Sequence, residues 1–236
     1  MSEKVNARAK RSLFINENAS ARPPVRLASM VNKSRSQASQ EATVDRICDA
    51  ALQLFVKKGY RATTIDEIAR RVRLTKGAVY YYFHSKADLL DEIVERVRKE
   101  YPCGIPDGAD PREKLVNFLH TQAKWAIERP TNLLLMILMS VEFKDTKSDT
   151  KLKIDGIYAD MSDAIAKIID EGKKAGVFSS PLSSRQIGAF YVAAHDGMML
   201  EWYRGGRKPQ KGVELVQALR TSMLSALSVL DSGGKL

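Results

Sequence analysis

The chain reads as an all-α protein built in two helical parts. Three observations predict this. Apolar residues recur at three- and four-residue spacing along most of residues 41–230, the period of a helix with one buried face. No segment sustains the apolar–polar alternation of a strand. Pro102, Gly104, Pro106, Gly108 and Pro111 crowd one short stretch, which marks a boundary between the two parts. Summing the helical segments and their breakers gives about nine helices.

Residues 1–40 contain Pro23-Pro24, are rich in Ser, Asn, Arg and Ala, and show no periodicity, so they are expected to be a disordered tail. Met30 is a second candidate start, which would make residues 1–29 an extension. From residue 41 to 58, Val44, Ile47, Cys48, Ala51, Leu52 and Phe55 form a helical stripe that Gly59 ends. Short helices are expected at about 65–72 and 76–82, behind the caps Thr64 and Thr75. A longer one follows at 86–100, behind Ser85 and with Asp88 three residues on.

Beyond the Pro/Gly cluster, residues 111–128 carry Leu115, Phe118, Leu119, Gln122, Trp125 and Ala126 on one stripe. Pro130 then opens a helix apolar on nearly every side over residues 133–141, expected to be buried all round. Residues 149–174 give another helix, with Gly172 and Gly176 read as its end, and residues 183–204 and 211–230 give two more. The domains expected are therefore the tail 1–40, a first domain 41–101 including its connecting helix, and a second domain 102–236.

Composition bounds the function. The chain has 236 residues, 44% hydrophobic and 28% charged, as in a soluble globular protein. The net charge of +10 is unevenly placed, with eight Lys/Arg against two Asp/Glu in residues 1–40. A basic arm beside a nucleic-acid module would add phosphate attraction that is independent of sequence. Two cysteines are too few for a disulfide framework, and Cys48 sits on a helical stripe as a small core residue. The apolar run 133–139 falls well short of a membrane span, and no signal peptide is visible, so a soluble, cytoplasmic protein without membrane contact is expected. His84, His120 and His195 form no metal pair, and no Gly-rich phosphate loop or Gly-x-Ser-x-Gly elbow is present. No catalytic residue, metal site or cofactor is assigned, and the chain is not expected to be an enzyme.

The segment TTIDEIARRVRLTKGAVYYYFHSKADLL, residues 63–90, is the most informative. Its two short helices and tight turn suit a reading element of DNA. A helix N-terminus holds a phosphate through its unpaired N–H groups and its dipole. A second helix opening with Lys76, Gly77 and Ala78 can press its backbone close to a large partner. Ile65, Ile68, Ala69, Leu74, Val79 and Phe83 would pack inward. Arg71, Arg73, Thr75, Lys76, Gly77, Tyr80, Tyr81 and His84 would face outward.

This segment resembles the tetracycline-repressor family of bacterial transcription regulators. The family pattern Thr-x-x-x-Ile-Ala, then Gly-Val-Ser-x-Gly-x-x-Tyr-x-x-Phe, then Lys and Leu, is met by Thr64, Ile68, Ala69, Leu74, Thr75, Gly77, Tyr80, Phe83, Lys86 and Leu89. Ala51, Leu52, Phe55, Gly59 and Tyr60 fit the family's first helix, so the match covers residues 43–90. One departure is visible: Arg73 stands where the family has glycine in the turn. If the position needs positive φ, the arginine costs about 1 kcal/mol.

The resemblance implies an N-terminal helix-turn-helix DNA-binding domain and a C-terminal helical ligand-binding and dimerisation domain. It implies phosphate contacts from Thr64, Thr75, Tyr81 and Lys86, and base-edge or methyl contacts from Lys76, Gly77, Ala78 and Tyr80. It also implies a homodimer through helices 183–204 and 211–230. The small residues Gly188, Ala189, Val192, Ala193 and Gly197 and the apolar stripe of Leu215, Val216, Leu219, Met223, Leu224, Leu227 and Leu230 are the candidates for that interface. Trp125, Met136, Met139, Tyr158, Met161, Tyr191, His195, Met198 and Trp202 are the candidate ligand contacts, because methionine and aromatic residues build adaptable apolar cavities. The expected partners are an operator in double-stranded DNA and a largely apolar small molecule, an acyl-coenzyme A or an aromatic metabolite among others. The expected mechanism is repression relieved by that molecule through helix 86–100, read as the one link between the two parts. The alternatives are an activator of the same family and a non-specific architectural DNA-binding protein.

Overall fold

The computed structural model describes residues 25–227, with side chains from residue 37 onward. The described residues before Thr43 form a unit of their own, and the packing described below is that of the unit beginning at Thr43. Among the described residues the regular elements are nine helices: α1 Val25–Lys58, α2 Ile65–Val72, α3 Lys76–Tyr82, α4 Lys86–Glu100, α5 Pro111–Glu128, α6 Pro130–Glu142, α7 Asp149–Lys174, α8 Ser184–Arg204 and α9 Pro209–Ala226. None is long and apolar enough to cross a membrane.

The expected disorder through residue 40 is corrected for its second half, because α1 already begins at Val25 and includes Met30. Residues 25–40 carry no Pro or Gly, and nine of the sixteen are Ala, Arg, Gln, Leu, Met or Lys, which favour a helix by propensity alone. They lack an apolar stripe, and periodicity therefore does not register them. The rest of the expected tail, residues 1–24, lies outside the described residues. At its other end α1 stops at Gly59, whose φ of 87° is readily adopted only by glycine and whose N–H donates to the Phe55 carbonyl at 2.9 Å. Ile47, Ala51 and Phe55 are fully buried, and Cys48 is buried beside them with its thiol pushed up to about 12 by desolvation.

α7 is the centre of the second part and packs against α4, α5, α6 and α8. Ile154, Ile165, Ile168 and Ile169 are all fully buried along it. Two glycines expected to end α7 have different duties. Gly176, at φ 70°, does end it. Gly172 lies inside the helix, where a Cβ would come within 1.9 Å of the Phe178 ring, so it is the seat of that phenylalanine. α6 is buried over most of its length, as its composition requires, but Val141 in its last turn is 65% exposed, so burial on every side does not hold.

The wide apolar stripe of α9 turns inward. Met223 and Leu227 are buried, and Leu219 and Leu224 pack on the same core. Gly188 is also internal, since a Cβ there would lie 2.5 Å from the Ser162 carbonyl oxygen of α7. These residues leave the candidate dimer interface because the chain's own core already uses them. Among the residues that α8 leaves exposed are Ala189, Phe190, Ala193 and Gly197. Leu230 lies outside the described residues.

Candidate nucleic-acid interface and effector cavity

The reading element is built by its caps. Thr64 caps α2 in a reciprocal box: its hydroxyl accepts from the Glu67 N–H at 3.3 Å, and the Glu67 carboxylate accepts from the Thr64 N–H at 3.0 Å. Lys58 pairs with the same carboxylate and holds its pKa below the usual range. Ile65, Ile68, Ala69 and Val72 are buried, as the stripe requires. Thr75 caps α3, its hydroxyl accepting from the Ala78 N–H at 3.1 Å. Val79 anchors α3 inward at zero exposure.

Arg73 adopts φ 59° and ψ 42°, the left-handed conformation for which the family uses glycine. It is held there by paired turn bonds, from its own N–H to the Arg70 carbonyl at 3.2 Å and from the Leu74 N–H to the Ala69 carbonyl at 2.9 Å. The side chain is exposed. Its neighbour Arg71 is turned onto Gln53 of α1 instead.

The outward set is largely where it was expected. Thr64, Arg73, Thr75, Lys76, Gly77 and His84 are exposed, with Tyr80 at 41% and Tyr81 at 73%. Ala78 is half-buried. Lys76 pairs with Asp66 of α2 at 3.0 Å, which raises its pKa and braces α3 against α2. Lys86 has a different setting from a free cation. Its ammonium donates to the carbonyls of Tyr60 at 2.8 Å, Arg61 at 3.2 Å and Thr63 at 2.8 Å, and it lies 4.4 Å from the Tyr60 ring centroid. Three donors meet three carbonyls, so Lys86 clamps the loop between α1 and α2, and burial lowers its pKa.

The same loop touches the second part of the chain. Arg61 Nε lies 2.9 Å from Glu142 at the end of α6, and the Tyr60 ring packs edge-on against Phe143 at 5.3 Å. Helix α4 is therefore not the one link between the two parts. Its own link is polar: Asp91 accepts from Lys153 at 2.7 Å and Thr150 at 3.1 Å, both on α7, and Glu95 lies 3.6 Å from Lys153.

A cavity of about 60 Å³ lies between α5, α8 and α9. Of the candidate ligand contacts, Tyr191, His195, Met198 and Trp202 line it, together with Leu119, Gln122, Leu215, Leu219 and Arg220 among others. The remaining candidates are not brought there. Trp125, Met136, Met139 and Met161 are buried in the packed core, with the Tyr101 hydroxyl donating to Met161 Sδ at 2.9 Å and the Tyr101 ring edge-on to Trp125 at 4.7 Å. Tyr158 is half-buried against the same core. On helices apolar on several faces, spacing does not say which face meets a void. Gln122 is the residue the candidate set omitted, and its signal was available: an amide on an otherwise apolar stripe. It is 1% exposed.

The chain matches two family descriptions, "Bacterial regulatory proteins, tetR family" over residues 47–93 and "YsiA-like protein, C-terminal region" over residues 86–218. The Transposon Tn10 TetC protein of Escherichia coli is 43% identical over 172 residues, covering 70% of this chain and 86% of TetC. The regulator AcrR of Shigella flexneri is 27% identical over 184 residues, 73% of this chain and 83% of AcrR. The solved structure of the MbdR regulator from Azoarcus sp. CIB superposes with a TM-score of 0.70 at 37% identity, covering 79% of this chain and all of MbdR. The capped helix pair, the all-helical second part and these matches together make the chain a member of the TetR family of bacterial transcription regulators.

Proposed function

We propose that this regulator is a homodimeric repressor of a palindromic operator, released when a mainly apolar small molecule enters the cavity between α5, α8 and α9. The observation that carries the DNA reading is Gly77. A Cβ at this exposed position would meet nothing nearer than Thr75 Oγ1 at 4.0 Å, so the protein's own packing does not need a glycine that weakens its helix. A large body pressed against the start of α3 does need one. Thr64, Thr75 and Tyr81 supply phosphate contacts around it. Lys76, Ala78 and Tyr80 supply contacts to base edges and methyl groups, and Arg73 and His84 add polar contacts.

The dimer forms through the exposed stripe of α8, where Phe190 is 61% exposed and a Cβ at Gly197 would meet nothing within 4 Å. A second copy of α8 can approach that stripe closely, and the small residues Ala218 and Ser222 of α9, also exposed, widen the contact. The two α3 helices of such a dimer must enter successive major grooves about 34–36 Å apart. A cavity of about 60 Å³ is smaller than a drug-sized ligand, for which pockets run to about 300 Å³ or more, so an effector must part the helices to enter. Two routes lead from there to the reading element: α4 through Asp91 and Lys153, and α6 through Glu142 and Arg61. Movement along either changes the spacing of the α3 helices, and the operator is released in the cytoplasm where such a regulator acts.

Selection of bound duplexes from a random DNA pool tests the reading. An inverted repeat with half-site centres one helical turn apart is the expected product. Recovery of unenriched sequence at every round overturns it in favour of non-specific coating.

A further inference from the structure

We infer that the buried end of the molecule taken by the α5–α8–α9 cavity is an uncharged hydrogen-bond donor, a hydroxyl or an amide N–H on an apolar body, and that Gln122 and His195 select it. The inference rests on the proposal that this cavity is the effector site, and it narrows the ligand class that proposal leaves open.

The lining is apolar except at a few points, and two of them are unpartnered. The Gln122 Nε2 group donates to the Pro102 carbonyl at 2.5 Å, which orients the amide and leaves Oε1 as a buried acceptor with no partner. His195, 5% exposed, is likewise without a partner at Nδ1. The group facing that nitrogen is the Asp196 carboxylate, whose Oδ1 lies 3.5 Å away and is itself unpartnered. The Trp202 indole N–H, by contrast, is spent on the Lys208 carbonyl at 2.9 Å.

These groups have one sign. His195 Nδ1 faces the Asp196 carboxylate, which only accepts, so Nδ1 is the ring's donor side and Nε2 is the acceptor that a neutral imidazole presents. With the Gln122 oxygen it makes a pair of acceptors beside a carboxylate. A ligand hydroxyl or amide N–H satisfies an acceptor that is otherwise left bare in a dry site. A ligand carboxylate or phosphate in the same place adds a lone-pair donor to lone-pair donors and sets a negative charge near Asp196, which is discrimination by repulsion. Arg220, the cation of the lining, is exposed, and solvent screens its charge.

Calorimetric titration of the full chain with 4-ethylphenol and with 4-ethylbenzoate, two bodies that differ in the polar end, tests this. The phenol is expected to bind about tenfold tighter or better, the cost of a mismatched buried polar group. Gln122→Leu and His195→Leu are each expected to reduce that preference while the ethylarene body still raises the melting temperature. Because Gln122 also holds Pro102, the wild-type preference stands as a test even if Gln122→Leu does not fold. Equal or tighter binding of the benzoate, binding of neither compound, or a preference that survives both substitutions overturns the inference. DNA selection without ligand separates the two claims. An enriched inverted repeat alongside no phenol preference overturns only the ligand chemistry. A clear phenol preference without DNA enrichment supports the cavity chemistry and removes its link to an operator.

Discussion

The Lys86 ammonium lies 2.8 Å from the Thr63 carbonyl oxygen, at the residue just before the α2 cap. A lysine at the start of α4 thus fixes the entry to the reading element from behind. Thr63 is fully buried, and its hydroxyl is committed to the Gly59 carbonyl at 2.9 Å, so the loop has little freedom once Lys86 is seated.

Lys86→Met keeps the aliphatic stem over Tyr60 and removes the clamp. It is expected to cost about 1–3 kcal/mol in urea unfolding, since it leaves partly buried carbonyls short of a charged donor. Operator affinity should fall with no change in the slope of log K against log salt. A slope lower by about 0.9, the signature of one lost phosphate contact, would instead make Lys86 a direct anchor.

Gly77→Ala separates folding from reading. With open space around the new methyl group, helix propensity should raise stability by about 0.5–1 kcal/mol. Affinity for the selected operator should drop by about tenfold or more, because the methyl group stands where the DNA must approach. Chemical denaturation and an operator titration on the same preparation read the two effects.

Gly172 and Phe178 form the opposite case, a glycine demanded from within. Gly172→Ala drives a methyl group into the ring and should destabilise the fold by about 1–3 kcal/mol. Phe178→Leu alone loses packing, yet it makes room for that methyl group. The double variant should therefore be more stable than the sum of the single losses, which a double-mutant cycle measures.

Acid stability should report on Glu95. Its carboxyl is held down from 4.5 to about 2, first by the hydrogen bond from Arg98 and then by the nearby charges of Arg98, Lys153 and Lys99. A carboxyl with a depressed folded pKa contributes stability above its unfolded value, and that contribution is lost as pH falls through the folded one. Between pH 4.5 and about 2, wild type should therefore lose stability more steeply than Glu95→Gln. Parallel pH profiles for the two proteins would remove Glu95 from the α4–α7 link.

The α2–α3 unit was legible in the sequence because its determinants are local. Thr64, Thr75 and Ser85 each cap the helix that follows them, and Ile65, Ile68 and Val72 lie within one short stripe. Arg73 was legible for the same reason: a turn that wants glycine shows the strain at one residue. What sequence reading missed is tertiary. Lys86 looked like a surface cation until the loop carbonyls were placed around it. Gly172 looked like a helix stop until Phe178 was placed against it. The α9 stripe did not say whether its own core or a second copy would cover it, and the start of α1 has propensity without periodicity. Met136, Met139 and Met161 have the composition of a pocket wall but lie in the packed core, while Gln122 lines the cavity.

In the proposed mechanism, occupancy of the α5–α8–α9 cavity and operator affinity are coupled. Ala126→Leu tests it without any ligand, because Ala126 lines the cavity and the added methylenes fill its space. The decisive measurement is the operator dissociation constant of this variant against wild type, with melting temperature confirming a folded protein and 4-ethylphenol titration confirming a filled cavity. The expected result is a folded protein whose operator binding falls by about fivefold or more, the lower range of allosteric coupling, with non-specific DNA binding unchanged. A filled cavity with operator affinity equal to wild type would contradict it.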